Sequence, residues 1–233
     1  RFVPASSIPG VDYERHIFET GEVSTREENR HDHFNALAWC RLPRLKVAMN
    51  ALHYAHLGEH HGGRRGPQRD ALTLLDESGA IVVSCERVLL EALSARDWQR
   101  AFVDLRQHWA NSTRVVICGH ALLEKLLKPY KSITAHVVLI HIDSTPDELR
   151  RKDFVARLDE ALAARLQEGL CRSPADLSPL PLMGIPGWWF GSAQDTDFYA
   201  DGYTFREPAA GAPSAPVHGI EVDNPSAILH WTD

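Results

Sequence analysis

The chain has 233 residues, of which 44% are hydrophobic, and a formal net charge of −6. This length and composition are typical of one domain with a substantial core rather than of two independent domains. The negative charge gives no general attraction to nucleic acid or to anionic membranes, so neither partner is expected. No apolar run approaches the roughly 20 residues that span a bilayer.

The four cysteines are far apart in the sequence and form no Cys-x-x-Cys pair. This pattern is typical of free thiols in a reducing compartment and argues against a secreted disulfide scaffold. A cytoplasmic location is therefore expected.

Two helices are predicted in the first quarter of the chain. Thr25 and Glu28 form a capping-box pattern, and apolar residues then recur at helical spacing, which predicts a helix over about 26–41. Pro43 suits the first turn of a second helix, which should end at the glycine pair 62–63.

The stretch 71–83 predicts a β-hairpin. Two apolar runs flank Asp76-Glu77-Ser78-Gly79, which carries the residue preferences of a type I turn. Helical periodicity returns over about 86–109.

A strand, a helix, a second strand and a long helix should follow. The two strands are predicted at 114–118 and 133–142, and the helix between them at 119–127. Thr145 and Pro146 provide the N-cap and first position of a helix that should continue to about residue 168.

Eight of the 14 prolines and eight of the 19 aromatic residues follow residue 170. Prolines exclude long helices, whereas a disordered tail would be poor in aromatics. The sequence thus predicts a single α+β domain, in which N-terminal helices and a long later helix pack on a small mixed or mostly antiparallel sheet. Residues 1–170 should form the core and 171–233 an irregular arm that wraps it. The predicted anchors of the arm are Trp188, Trp189, Phe190, Phe198, Tyr199 and Trp231.

The segment HDHFNALAW at 31–39 carries the first group of candidate catalytic residues. At helical spacing His31, Asp32 and Asn35 share a sector that borders the apolar face. A histidine beside a carboxylate can act as a general base or a metal ligand, and Asn35 could orient it. Alternatively, Asp32 favours the helix dipole and the others satisfy backbone groups.

The segment RGPQRDALTLLDE at 65–77 supplies candidate substrate-binding residues, namely Arg65, Arg69 and Asp70. Arginine forks match phosphate or carboxylate groups bidentately. They match internal carboxylates equally well, so anion binding and internal salt bridging both remain open.

The segment GHALLEKLLKP at 119–129 places His120 and Glu124 one helical turn apart, where both could reach one ion or one proton. This helix lacks a second histidine, so a divalent metal would need further ligands from elsewhere in the chain. Glu124 could instead pair with an arginine. In the segment GIPGWW, Trp188 could close over a ligand or anchor the arm to the core.

Four blocks of the sequence closely resemble the bacterial family called domain of unknown function 3025. They are YERHIFETGEVSTREENRHDHFNALAW (13–39), RGPQRDALTLLDESG (65–79), GHALLEKLLKPYKSITAH (119–136) and PLPLMGIPGW (179–188). The resemblance implies a bacterial, cytoplasmic protein with a shared pocket, but it carries no established activity. It adds Asp76, Glu77, Lys125, Thr134 and His136 to the candidate site residues, with Lys125 and His136 as binding groups.

Three functional hypotheses follow from these residues. The first is a hydrolase of a small anionic substrate, for example a phosphate ester, with His31 or His120 as base or metal ligand. The second is a binding module that holds an anionic metabolite or a partner peptide. The third is purely structural, with the polar blocks forming buried networks.

Overall fold

The computed structural model describes residues 1–8, 10–57 and 66–222. Helices pack on both faces of a small mixed sheet, which confirms the predicted α+β class. The helices are α1 (Tyr13–Thr20), α2 (Arg30–Arg41), α3 (Pro43–Ala55), α4 (Pro67–Ser78), α5 (Arg87–Ala95), α6 (Arg106–Asn111), α7 (His120–Lys125), α8 (Pro146–Arg150), α9 (Phe154–Gln167) and α10 (Thr196–Tyr199). The strands are β1 (Phe2–Pro4), β2 (Val23–Thr25), β3 (Gly79–Ser84), β4 (Thr113–Ile117), β5 (Thr134–His141), β6 (Ser178–Pro181) and β7 (Val217–Gly219).

The main sheet has β3 and β5 at its centre. Strand β3 pairs with β5 in parallel and with β4 in antiparallel orientation, so that Val82 lies opposite both Leu139 and Val115. On its other side β5 pairs first with β6 and then with β7. Strands β1 and β2 form a separate parallel pair beside α1.

The two central strands are buried on both faces, as their continuous apolar sequences favour. Ile81 and Val83 face a layer that contains α3, α4 and α9. Ala80 and Val82 face the opposite layer, which contains α5 and a π-helical segment at Arg100–Asp104. The molecule therefore has three layers, with helices on both sides of the sheet.

Helices α3 and α9 are joined by a carboxylate. Asp159 of α9 is 1% exposed and accepts hydrogen bonds from the backbone N–H groups of Arg44 (3.0 Å) and Leu45 (2.8 Å). These are amides of the first turn of α3, which lack partners within their own helix. Asp159 thus caps α3 from a neighbouring helix.

The hairpin predicted over 71–83 is wrong. Its first half is the C-terminal half of helix α4, and Asp76-Glu77-Ser78 is the last turn of that helix. Strand β3 begins directly at Gly79, without an intervening loop. Ala71, Leu72 and Leu75 are buried at helical spacing, a pattern that short apolar runs do not distinguish from a strand.

Several predicted helix ends also differ from the structure. Helix α2 begins at Arg30 with Asn29 as its N-cap, whereas Thr25 belongs to β2. The helix expected to end near 127 stops at Lys125. The long helix expected up to residue 168 is interrupted at 151–153, which separates α8 from α9. The glycine pair 62–63 lies outside the described residues.

The C-terminal arm contributes to the sheet, because β6 and β7 both pair with β5. Phe198 and Tyr199 are buried as predicted, but Phe190 is 93% exposed and anchors nothing. Trp231 lies outside the described residues.

Within the described part of the chain, no helix combines the length and the apolar composition needed to cross a bilayer.

Candidate functional site

A polar cleft of about 410 Å³ lies where α4 runs into β3, next to the start of α7. Residues of α1, α2, α4 and α7 line it. Three of the four blocks that resemble the family, 13–39, 65–79 and 119–136, therefore contribute residues to one cleft. The lining residues most relevant to chemistry are His31, Asn35, Arg69, Asp76, Glu77 and His120.

Helix α4 presents a polar stripe to the cleft. Arg69, Thr73, Asp76 and Glu77 line it and recur at i, i+4, i+7 and i+8. This spacing places them on one face of a helix. In the hairpin predicted from the sequence, Asp76 and Glu77 would instead have occupied a turn. The helical geometry is thus what brings Arg69 and the two acidic residues to the same cleft.

Gly119 brings the first turn of α7 against this stripe. A Cβ atom at residue 119 would lie 2.3 Å from the Gly79 backbone nitrogen and 2.7 Å from the Glu77 carbonyl oxygen. The backbone N–H of Gly119 donates to the Gly79 carbonyl at 2.8 Å. Only glycine fits this close approach, and it places His120 beside Asp76 and Glu77.

Two histidines from distant parts of the chain meet in the cleft. The Nε2 atoms of His31 and His120 are 3.0 Å apart, and their rings are nearly perpendicular. His120 is only 4% exposed. Burial lowers its pKa, which favours the neutral imidazole that can accept a proton or bind a metal ion.

Carboxylates surround the histidine pair. Glu77 Oε2 lies 3.6 Å from His120 Nε2. On the opposite sides of the rings, His120 Nδ1 is 3.8 Å from Asp76 Oδ2, and His31 Nδ1 is 3.8 Å from Glu124 Oε2. His31, Glu77 and His120 each offer one ligand atom, and these three atoms lie within 4.8 Å of one another. This donor set fits a divalent metal ion.

A buried lysine, Lys46, contacts the carboxylate that faces His120. Lys46 of α3 forms an ion pair with Asp76 and donates a hydrogen bond to Asn35 Oδ1 at 3.0 Å. Asn35 in turn donates to the Tyr13 hydroxyl at 2.8 Å. Sequence reasoning missed Lys46, although a signal was present. Lys46, Asn50 and His53 recur at helical spacing on the buried face of α3 and are themselves buried.

Two other acidic residues of the cleft already have partners. Asp32 accepts two hydrogen bonds from the Arg26 guanidinium, at 2.7 and 2.9 Å, and this pairing lowers its pKa. Asn50 donates to Glu14 Oε2 at 2.6 Å. Burial raises the pKa of Glu14. The Asp32 carboxylate therefore ties α2 to Arg26 in the segment before it.

Arg69 differs from the other charged residues of the cleft. Its Nε atom is buried and lacks a hydrogen-bond partner. Among the residues that the structure describes, the Arg69 guanidinium forms no hydrogen bond or ion pair with any side chain. The contacts of Arg69 therefore do not support the alternative that it forms an internal salt bridge. Its guanidinium is available to bind an anionic ligand.

Among the residues that the structure describes, the remaining sequence candidates do not line the cleft. Asp70 and Lys125 are exposed on the surfaces of α4 and α7. His136 forms a hydrogen bond with Ser78 at 2.9 Å, and burial together with the charge of Lys125 lowers its pKa. Trp188 packs against the opposite helical layer. Arg65 lies outside the described residues.

Comparison with known proteins supports a family but no activity. No curated protein and no solved structure matches the chain. The sequence model of the family described as "Protein of unknown function (DUF3025)" matches residues 1–208, in agreement with the four blocks identified in the sequence. All the groups that line the cleft fall within this range. The chain therefore belongs to the DUF3025 family.

Proposed function

We propose that this protein is a hydrolase of a small anionic substrate, with water activated at the histidine pair. The observation that carries the proposal is the shared location of two groups of opposite function. His31, His120 and Glu77 offer sites that can accept a proton, and Arg69 offers a positive charge that no described side chain neutralises. All four residues line one cleft.

The charge pattern supports an anionic substrate rather than a neutral one. Arg26 is paired with Asp32, and Lys46 is paired with Asp76, so the charges of these cations are already compensated. Arg69 is not compensated in this way, and its planar guanidinium can bind a phosphate or carboxylate through two hydrogen bonds. An anionic group of the substrate would therefore bind at the Arg69 end of the cleft.

Along α4, the residue proposed to bind the anionic group of the substrate is separated from the residues proposed to take part in the reaction. Arg69 precedes Glu77 by eight residues, which corresponds to about 12 Å along the helix axis. A substrate that places its scissile bond beside His31 and His120 could thus carry its anionic group several bond lengths away.

The chemistry of such a site is general-base hydrolysis. A neutral imidazole accepts a proton from water as the water attacks a phosphorus or carbonyl centre. Asp76 and Glu124 lie 3.8 Å from the Nδ1 atoms of the two rings, and the attraction of a carboxylate at that position favours the tautomer that leaves Nε2 able to accept the proton. Lys46 holds Asp76 in place.

The test is a panel of chromogenic phosphate monoesters, phosphate diesters and carboxylate-bearing esters, each compared with an uncharged analogue. We expect turnover of at least one anionic class. Arg69→Gln should raise KM for it by about 10- to 100-fold, since a charged hydrogen bond contributes about 1.5–3 kcal/mol. The matched control is Arg87→Gln, because Arg87 is exposed and pairs with Glu91 away from the cleft.

Two results would overturn the proposal. One is the absence of turnover with every member of the panel, both with and without added divalent metal. The other is a kinetic effect of Arg69→Gln no larger than that of Arg87→Gln. Tight binding of an anion to Arg69 without any turnover would establish the binding module in place of the enzyme.

A further inference from the structure

We infer that His31, His120 and Glu77 form a binding site for a divalent transition-metal ion of the zinc class. We assign His31 Nε2, His120 Nε2 and Glu77 Oε2 as the ligand atoms, because these are the atoms that approach one another in the cleft. The inference deepens the proposed function, because such an ion would supply the activated water, and it rests on the same cleft. Ion binding can nevertheless be measured without any turnover.

The distances between the donor atoms suit such an ion. The two Nε2 atoms are 3.0 Å apart, and Glu77 Oε2 lies 3.6 Å from His120 Nε2. Donors at about 2.1 Å from a tetrahedral zinc ion lie about 3.4 Å from one another. Small side-chain adjustments are sufficient to bring all three atoms into contact with one ion.

The opposite nitrogens of both rings support the same interpretation. His120 Nδ1 faces Asp76, and His31 Nδ1 faces Glu124, each at 3.8 Å from a carboxylate oxygen. Histidines that bind a metal ion through one nitrogen commonly direct the other nitrogen to a carboxylate. Both rings of the pair follow this pattern, although they come from helices 89 residues apart in the sequence.

A hydrogen bond between the two histidines explains the structure less well. Only 4% of the surface of His120 is exposed, and among the described residues its Nδ1 atom has no hydrogen-bond partner. In a hydrogen bond between two neutral imidazoles, one ring must donate its Nε2 proton. The Nδ1 of that ring is then an unprotonated acceptor that faces a carboxylate, Asp76 for His120 or Glu124 for His31, which is costly. An ion at Nε2 favours the tautomer with the proton on Nδ1, and it strengthens the attraction of that proton to Asp76.

The donor set also selects the class of metal. Two imidazole nitrogens and one carboxylate favour zinc and its neighbours in the first transition series over magnesium and calcium, which prefer oxygen ligands. Three protein ligands leave at least one coordination position open. The side chains of His31 and Glu77 are 39% and 44% exposed, so the open position faces the cleft and not the core.

The experiment uses the full chain, stripped with a chelator and then titrated with Zn²⁺ or with Co²⁺ as a spectroscopic probe. We expect one equivalent of metal per chain and visible Co²⁺ bands typical of a four- or five-coordinate site. Metal analysis of the protein as purified then distinguishes zinc from iron, which the same donor set can bind.

Variants separate the site from adventitious binding. His31→Ala and Glu77→Gln change partly exposed residues, so both proteins should fold. Each should lower metal affinity by more than the roughly 10- to 100-fold typical for loss of a group that only supports a ligand. The controls are His33→Ala, an exposed histidine on the same helix as His31, and Glu91→Gln, an exposed carboxylate on α5.

The inference is overturned if the wild-type protein binds no stoichiometric metal, or if His31→Ala and Glu77→Gln bind metal as the controls do. It stands if metal binds as expected while no substrate is turned over, and in that case only the hydrolase proposal fails. Hydrolysis by fully metal-free protein would retain the hydrolase proposal and overturn the claim that the ion supplies the activated water.

Discussion

Lys46 shows how a single buried charge organises the cleft. Only 5% of its surface is exposed, and its ammonium group contacts Asp76 and Asn35. Asp76 in turn faces His120. Because a buried ammonium is stable only when it is paired, Lys46 and Asp76 fix each other's position. The orientation of His120 therefore depends on a residue that is not among those lining the cleft.

We predict that Lys46→Met destabilises the protein by about 3 kcal/mol, as measured by urea denaturation. Removal of one member of a buried ion pair typically costs about 3–5 kcal/mol. The lower end applies because the Asp76 side chain is 24% exposed and can recover some hydration. Metal stoichiometry should be retained, since Lys46 is not a ligand.

The double variant Lys46→Met/Asp76→Asn provides the control for this prediction. It leaves no unpaired carboxylate, so its stability loss should be smaller than the sum of the losses in the two single variants. Strict additivity of the two changes would show that the ion pair is not what stabilises this part of the molecule.

The sequence predicted the residues of the site better than their roles. His31, Asn35 and His120 were expected because each adjoins an apolar helical face. Arg69 was expected because its guanidinium can bind an anion, although it was placed just before a strand and not on a helix. Glu77 was assigned to a turn, so its position beside His120 was missed. No local pattern indicates that His31 and His120 share a point in space, because this contact depends on how α2 packs against α7.

At the scale of elements, the junction between α4 and β3 determines the site. Helix α4 ends and β3 begins without a loop, which fixes the last helical turn rigidly to the sheet. The hairpin prediction failed here because Asp76-Glu77-Ser78-Gly79 satisfies the residue preferences of a turn and of a helix end equally well. Tertiary packing of Leu72 and Leu75 decides between the two.

Gly119 provides the test of this junction. We predict that Gly119→Ala destabilises the protein by about 1–3 kcal/mol, the usual cost of forcing extra volume into a packed interior. The new Cβ would meet backbone atoms of Gly79 and Glu77, which cannot rotate away as a side chain can. It should also weaken metal binding, because α7 must shift and carry His120 away from Glu77.

The matched control for Gly119→Ala is Gly219→Ala. Among the described residues, no atom lies within 4 Å of the position that a Cβ at residue 219 would occupy, and the backbone of Gly219 does not have a positive φ. Its stability and metal affinity should therefore equal those of the wild type. If Gly119→Ala and Gly219→Ala have the same unfolding free energy and the same metal affinity, the close approach at Gly119 does not contribute to stability.

At the scale of the whole molecule, the C-terminal arm is an integral part of the fold. It adds β6 and β7 to the sheet, and its aromatic residues Tyr199 and Phe205 pack against Phe102 with ring centroids 5.3 and 5.9 Å apart. The aromatic content predicted an ordered arm. The strand pairings could not be predicted, because proline-rich segments carry no alternating pattern and pair only with an edge that already exists.

Asp201 links this arm to Lys131, which lies in the turn before β5. Its carboxylate accepts hydrogen bonds from Lys131 Nζ (2.9 Å), Thr204 Oγ1 (2.9 Å) and the Tyr203 backbone N–H (3.0 Å). The ammonium of Lys131 also lies 4.3 Å from the centre of the Phe198 ring. The hydrogen bond from Lys131, followed by that from Thr204, lowers the pKa of Asp201 to about 2.

This shift predicts how the stability of the arm depends on pH. A carboxyl whose pKa is lower in the folded state stabilises the fold above its unfolded pKa, near 3.8, and this contribution is lost as the pH falls toward about 2. Asp201→Asn should therefore be less stable than the wild type at neutral pH. The difference in unfolding free energy should shrink between about pH 4 and pH 2.

Hydrogen exchange of the arm at neutral pH provides a local measurement of the same effect. Amides of 196–205 should exchange faster in Asp201→Asn, whereas those of β3 should be unaffected, because β3 lies at the centre of the sheet. Asp197→Asn is the matched control, since Asp197 is exposed on the same segment. Identical exchange in the two variants, or a difference in unfolding free energy that stays constant down to pH 2, would show that the Asp201 carboxylate does not hold the arm in place.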